Sequence, residues 1–297
     1  MYKQIDSNKR KSIILIVIFV VIIGLIGWVF GESTDMGYGG LILALIIAIS
    51  MALYGYFSGD KVALWTSGAK PISKEQNQYV YRMVENLSIT AGIPKPKVYI
   101  ISDPAINAFA TGRDPKHASI AVTKGAIEKL ENEELEGVLA HEMSHIKNYD
   151  IRLMTIVIIC VGTIALLSNW FFRISFFGGR KSSKGGGQAQ LIIMAIGLVL
   201  IIFAPLIAQL IKLAVSRKRE FLADASGALL TRYPAGLANA LEKIENQNVE
   251  PMLRANNSTA HLFISNPFGH KARKGLAKLF STHPPVEERI KVLREMA

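Results

Sequence analysis

Four long apolar stretches constrain this chain before anything else does: Ile13–Phe30, Gly39–Phe57, Ile151–Phe172 and Leu191–Val215. Each comes near or passes the ~18–20 residues that a helix needs to cross the hydrocarbon core of a bilayer. Half of the 297 residues are hydrophobic, a share expected of a chain with membrane segments. The spacing therefore predicts an integral membrane α-helical protein with about four transmembrane helices, and a soluble portion divided between them. Lys9, Arg10 and Lys11 precede the first stretch as they would in a signal peptide. Its apolar core is too long for one, however, and no small-x-small cleavage site follows, so an uncleaved anchor is expected.

The loop Gly31–Tyr38 carries two acids and no Lys or Arg, whereas the N-terminal tail is basic. The positive-inside rule then places the N-terminus and the residues from about Asp60 to Asp150 in the cytoplasm. Arg173, Arg180, Lys181 and Lys184 lie between the third and fourth stretches and oppose that assignment. The first helix usually dominates orientation. The expected division is a transmembrane hairpin over 1–60, a first catalytic part over 61–150, a second hairpin over 151–215 and a second catalytic part over 216–297.

The soluble parts read as mixed α and β. Ser73-x-x-Gln76 resembles a capping box ahead of Val80, Met83, Val84 and Leu87 at helical spacing, with Gly92 and Pro94 ending that helix. Lys97–Ile101 and Ser119–Val122 read as strands. Helices are expected from Asn132 to about Asn148, with Glu133, Glu134 and Glu136 at the positive end, and over Ser216–Tyr233, Pro234–Asn246 and Pro285–Met296. The net charge of +11 includes Lys9–Lys11 and Arg217–Arg219 beside apolar runs, which favours lipid headgroups over nucleic acid. No aromatic-basic platform for nucleic acid is visible. The one cysteine, Cys160, excludes an internal disulfide and a cysteine-based zinc site, and its apolar surroundings suit a packing residue.

The chemistry centres on His141-Glu142-Met143-Ser144-His145. Residues four apart share a helix face, so both imidazoles can bind one Zn²⁺, with Glu142 beside them to take a proton from water. Mn²⁺ or Co²⁺ would suit the same donors. A peptidase site needs a third protein ligand, and Glu220 and Asp224, also four apart, supply one group to reach the metal and another to brace an imidazole. The alternative reading of Glu220 is an ion-pairing acid next to Arg217 and Arg219. The third stretch begins six residues after His145, and the fourth ends five before Glu220. Two crossings return the chain to one membrane face, where all three ligands can meet.

Taken together, HExxH, a membrane hairpin and Glu-x-x-x-Asp resemble the HtpX-type membrane zinc metalloproteases, relatives of the CAAX prenyl endoproteases. Further matching segments are Asn107–Gly112, Asn148–Asp150, Thr259–Ile264 and Thr282–Pro285 with Arg289-Ile290. The resemblance implies a gluzincin-like zinc peptidase domain with one Zn²⁺ per chain on His141, His145 and Glu220. It implies Glu142 as general base, Asp224 behind a ligand, and Asn107, Ala108 and Phe109 on a substrate-pairing edge strand. It also implies that His283 stabilises the oxyanion. For His283 a helix-entry role stays open. Arg289 is grouped with the substrate-binding residues, where it either orients the site or pairs with Glu287 or Glu288. Asp150 reads first as a helix terminator, and His261 is placed near the cleft, whereas His117 and His270 read as structural. The implied activity is cleavage of misfolded or damaged membrane proteins and unfolded polypeptides at the cytoplasmic face. A CAAX-type processing protease and a metal-binding membrane scaffold are the alternatives.

Overall fold

The structure is a computed structural model that describes residues 2–33, 36–160, 162–163, 216–247, 251–256, 258–269 and 284–297. The fourth apolar stretch, the basic loop after the third, His270 and His283 lie outside these residues. The first two apolar stretches form long antiparallel helices, α1 (Tyr2–Ser33) and α2 (Tyr38–Thr66). Glycines allow their backbones to touch. A Cβ on Gly27 would sit 2.1 Å from Ala44 Cβ, and one on Gly31 would sit 2.1 Å from Gly37 O. Small residues at a helix contact are how membrane helices gain packing without a hydrophobic driving force. The outer faces carry Val17, Val21, Leu25 and Trp28 on α1, and Ile42, Ile46, Leu53 and Phe57 on α2, all exposed. Such faces are costly in water and unremarkable in lipid.

The helix around the first stretch starts well before Ile13. Its first turns pack on the soluble part, burying Asn8 and Ser12, so the basic N-terminal segment is not a free tail. Arg219 also departs from its expected place among lipid headgroups: it is buried and paired with Asp150. Residues 150–160 continue as helix from the start of the third stretch. They run antiparallel to α2: Thr155 meets Gly59, Ile159 meets Gly55, and Thr163 meets Met51.

The soluble part builds a four-stranded sheet, with β1 (Ala69–Pro71), β2 (Lys97–Ile101), β3 (Ala108–Gly112) and β4 (Ala118–Thr123) in the order β1-β2-β4-β3. β2 and β4 are parallel, and the other neighbours are antiparallel. β3 is thus an outer strand among the described residues. Helix α3 (Gln78–Ala91) is capped by Asn77, whose side chain accepts from the Val80 N–H. The expected Ser73/Gln76 box is not its start: Gln76 Oε1 accepts from the Ser73 N–H and closes a preceding turn. Gly92 ends α3 at φ 67, a left-handed conformation that costs glycine little. After α4 (Lys124–Lys129), α5 (Asn132–Lys147) opens on a capping box of Glu131 and Glu134. Helices α6 (Arg217–Thr231) and α7 (Pro234–Gln247) pack on it, and α8 (Val286–Glu295) packs on α7 and α6. α5 is buried nearly throughout, and its polar residues are therefore held by partners.

Candidate metal centre

α5 presents His141 and His145 on one face, their rings edge to face with centroids 4.8 Å apart. α6 crosses α5 closely because Gly227 lacks a Cβ; one added there would come 3.0 Å from the His141 amide nitrogen. That approach delivers Glu220 and Asp224, one helical turn apart, to the two imidazoles. Glu220 Oε2 lies 3.7 Å from His141 Nε2, and Oε1 lies 3.7 Å from His145 Nε2. The two Nε2 atoms are 3.2 Å apart. Among the described residues, His141, His145 and Glu220 are the cluster whose donor atoms all lie within 4.8 Å of one another.

The donor set fits a zinc ion. Zn–N bonds of about 2.0–2.1 Å at tetrahedral angles set imidazole nitrogens about 3.3 Å apart. Each Nδ1 is also engaged from behind, which points Nε2 inward. His141 Nδ1 donates to Asp224 Oδ1 at 2.8 Å, and His145 Nδ1 donates to Asp150 Oδ2 at 3.0 Å. Carboxylate-histidine pairs of this kind fix the tautomer and ring orientation of metal ligands. Asp150 is therefore more than a helix terminator. Tyr149, at φ 61, turns the chain so that Asp150 folds back toward the preceding helix.

Arg289 of α8 settles between its two expected roles. It is buried and forks onto Asp224, with Nε to Oδ2 at 2.8 Å and Nη2 to Oδ1 at 2.6 Å. It pairs with neither Glu287 nor Glu288 but holds the carboxylate that holds His141. Burial opposes the charge on Asp224, yet the Arg289 guanidinium outweighs it and keeps the carboxyl well below the usual range. Arg289→Leu would leave that carboxylate buried without its cation, a loss of about 3–5 kcal/mol. Thermal unfolding in detergent should show a clearly lowered midpoint; an unchanged midpoint would remove Arg289 from this support.

Glu142 is buried beside the two histidines, and burial pushes its carboxyl up to about 8. Burial likewise lowers His141 to about 4. It also opposes charge on His145, but the Asp150 hydrogen bond and the Glu220 charge overcome it and raise that imidazole to about 9. In the metal-free protein His145 is thus the protonated member, and its Nε2–H donates to His141 Nε2. The stability gained from that proton is complete below the ordinary value near 6.5 and is lost as pH rises through about 9. A metal must displace the proton. Zinc added at pH 7 to the metal-free protein in weak buffer should release at least about one proton per ion bound, read with a pH indicator. Uptake without release would contradict the His145 assignment.

The edge strand β3 lies next to Glu142, close enough for the Ala110 N–H to act on its carboxyl. Asn107 O accepts from the Thr123 N–H, so by alternation residues 108, 110 and 112 turn their backbone groups outward. Ala108 O already accepts from the Ile264 N–H, and Gly112 is bonded on both backbone groups to the Thr155 hydroxyl. Asn107 grips Ser265 through its carboxamide, and Phe109 packs edge to face on Phe263. The three expected edge residues are thus engaged by the 263–265 segment, and Ala110 is the outward position between the two clamps. His261 is buried, with Nε2 3.1 Å from Met154 O, and is not in the metal cluster. His117 is paired with Asp114 at the surface. Asn8 carried no signal in the sequence and Arg219 read as a headgroup cation, because their roles depend on contacts between distant segments.

Known proteins resemble this chain over nearly its whole length. The model of peptidase family M48 matches residues 74–297. A protease HtpX homolog of Dictyoglomus thermophilum is 44% identical, covering 99% of this chain and 94% of its own. One from Tropheryma whipplei is 46% identical over 100% of this chain and 98% of its own. A third, from Streptococcus pneumoniae, is 42% identical over the whole of both. Among solved structures, the crystal structure of S. mikatae Ste24p shares the fold. Its TM-score is 0.52 at 19% identity, covering 99% of this chain and 67% of that one.

Proposed function

The chain belongs to peptidase family M48, on its HtpX-type branch, and from that premise we propose a zinc endopeptidase that cuts unfolded or damaged membrane proteins at the cytoplasmic face. It is a membrane metallopeptidase. The observation that carries the reading is the convergence of His141, His145 and Glu220 from α5 and α6 with Glu142 beside them. We assign His141, His145 and Glu220 as the ligands, braced by Asp224 and Asp150.

When bound, zinc supplies Lewis-acid polarisation of the scissile carbonyl and makes the attacking water acidic near neutral pH. Glu142 takes the proton of that water and passes it to the leaving amine. Its raised affinity for a proton suits both halves of that transfer. The substrate backbone pairs with the outward groups of β3 at Ala110 and, where the Ile264 N–H releases it, at Ala108, while Asn107 and Phe109 brace the strand through their side chains. His283, outside the described residues, is the donor we assign to the oxyanion on the strength of the resemblance. Arg289 orients this machinery from behind through Asp224.

We assign four membrane spans and a gluzincin-like domain. The antiparallel seating of residues 150–160 on α2 supports the third span. The burial of Asn8 against residues 148–150 supports placing the N-terminus on the catalytic side. The basic N-terminal segment argues that this side is cytoplasmic. Metal-free protein in detergent should cleave an unfolded polypeptide only after zinc is added. Cleavage confined to prenylated peptides would shift the reading to a processing protease. Zinc binding with no cleavage of either would reduce it to a metal-binding scaffold.

A further inference from the structure

The support of the metal centre does not end at Asp150. That carboxylate is shared between two oxygens with different tasks: Oδ2 accepts from His145 Nδ1, while Oδ1 faces the N-terminal turns of α1. There Asn8 Nδ2 donates to Asp150 Oδ1 at 2.7 Å and to Asn148 O at 2.9 Å. Arg219 Nη1 approaches the same Oδ1 at 3.3 Å and Asn8 Oδ1 at 3.4 Å. All these side chains are buried: Asn8 is 0% exposed, Asp150 1% and Arg219 1%. Lys9 lies over the Tyr149 ring, 4.8 Å from its centroid, at the left-handed corner that aims Asp150. The start of the first membrane helix thus grips both the backbone and the side chain of the corner that follows HExxH.

We propose that Asn8 is a positioning residue of the metal centre, acting through Asp150 on His145, so that the first membrane helix is part of the metal site's support. The inference rests on His145 being a ligand. Physically, the carboxamide supplies what neither neighbour can. It donates to Asp150 and accepts from Arg219, so the carboxylate is held between two partners and keeps a fixed direction toward the imidazole. Without it, Arg219 alone would hold Oδ1, and at 3.3 Å the guanidinium contact is loose. Asp150 could then turn, and His145 Nε2 would lose its alignment. Outer partners of metal ligands are worth about 10–100-fold in metal affinity. Asn8 is one bond further out, so an effect at the low end, about tenfold, is expected.

The test compares zinc dissociation into a chelator, and the visible spectrum of the Co²⁺-loaded protein, for the parent, Asn8→Ala, Asn8→Asp and Leu15→Ala. Leu15 is buried on the same helix two turns further on and has no polar group to offer this network, so Leu15→Ala reports helix packing. Asn8→Asp keeps size and shape but replaces the amide donor with a second carboxylate against Asp150. Both Asn8 variants should release zinc about tenfold faster than the parent and alter the cobalt spectrum. Leu15→Ala should lower thermal stability and leave both readouts near the parent. Parent-like release and spectra from both Asn8 variants would overturn the inference. So would an equal acceleration by Leu15→Ala, which would make the effect one of packing. A parent that binds no metal would instead fail the ligand assignment itself, and the two failures are thereby distinguished.

Discussion

Glu142→Gln is expected to lower turnover of an unfolded polypeptide by roughly 10²–10⁴-fold while one zinc per chain stays bound. Glutamine keeps the volume of the side chain in its buried site, and none of the three donor residues is touched. What it cannot do is accept a proton. The substitution should not cost folding. Burial and the nearby Glu220 charge both disfavour ionised Glu142, and a neutral amide removes that conflict. The folded-state value raised to about 8 means the neutral form stabilises the fold below the ordinary value, with the advantage lost as pH rises through about 8. Glu142→Gln should therefore be at least as stable as the parent at alkaline pH in the metal-free state. Single-turnover cleavage, with zinc content measured on the same sample, checks both parts. Turnover within about tenfold of the parent would remove Glu142 as the base.

Glu220→Ala is the second large effect, and it separates metal binding from proton transfer. Glu220 is the carboxylate between two neutral-capable imidazoles, 3.7 Å from each Nε2. Its removal leaves two ligands where a catalytic zinc site uses three. Zinc should be lost on dialysis against a weak chelator, and cleavage with it. Glu220→Asp, shorter by one methylene, should restore part of the affinity if the role is ligation. Removing the Glu220 charge also takes away one of the influences that raise His145, so the metal-free variant should protonate that imidazole at lower pH. Unchanged zinc content in Glu220→Ala would take Glu220 out of the ligand set.

The metal motif was legible in the sequence because its meaning is local. His141, Glu142 and His145 lie within one helical turn, and the Glu220/Asp224 pair repeats that spacing. The helices α3, α5, α6, α7 and α8 and the strands Lys97–Ile101 and Ala118–Thr123 carry their own patterns and caps, and their ends came within a few residues. The short strand Ala69–Pro71 did not. Three residues containing a proline hold no periodicity, and the strand exists because it can pair with β2. Asp150 shows the same limit. Nothing local separates an acid that ends a helix from one that turns back onto an imidazole; Tyr149 in a left-handed conformation decides it. Arg219 looked like a member of a basic flank, and Asn8 gave no sign of its role, because their burial is created by contacts across 69 and 140 positions of chain. The engagement of Asn107–Phe109 by residues 263–265 is likewise a tertiary fact, one that narrows the outward backbone beside Glu142 to Ala110.

The central claim is that α5 and α6 together hold a catalytic zinc ion, and X-ray absorption at the zinc edge of zinc-loaded Glu142→Gln tests it most directly. Two imidazole nitrogens at about 2.0–2.1 Å and oxygen ligands at about 2.0–2.2 Å, with the oxygen signal reduced in Glu220→Ala, are the predicted result. A sulfur ligand, fewer than two imidazoles, or an oxygen shell indifferent to Glu220 would contradict it.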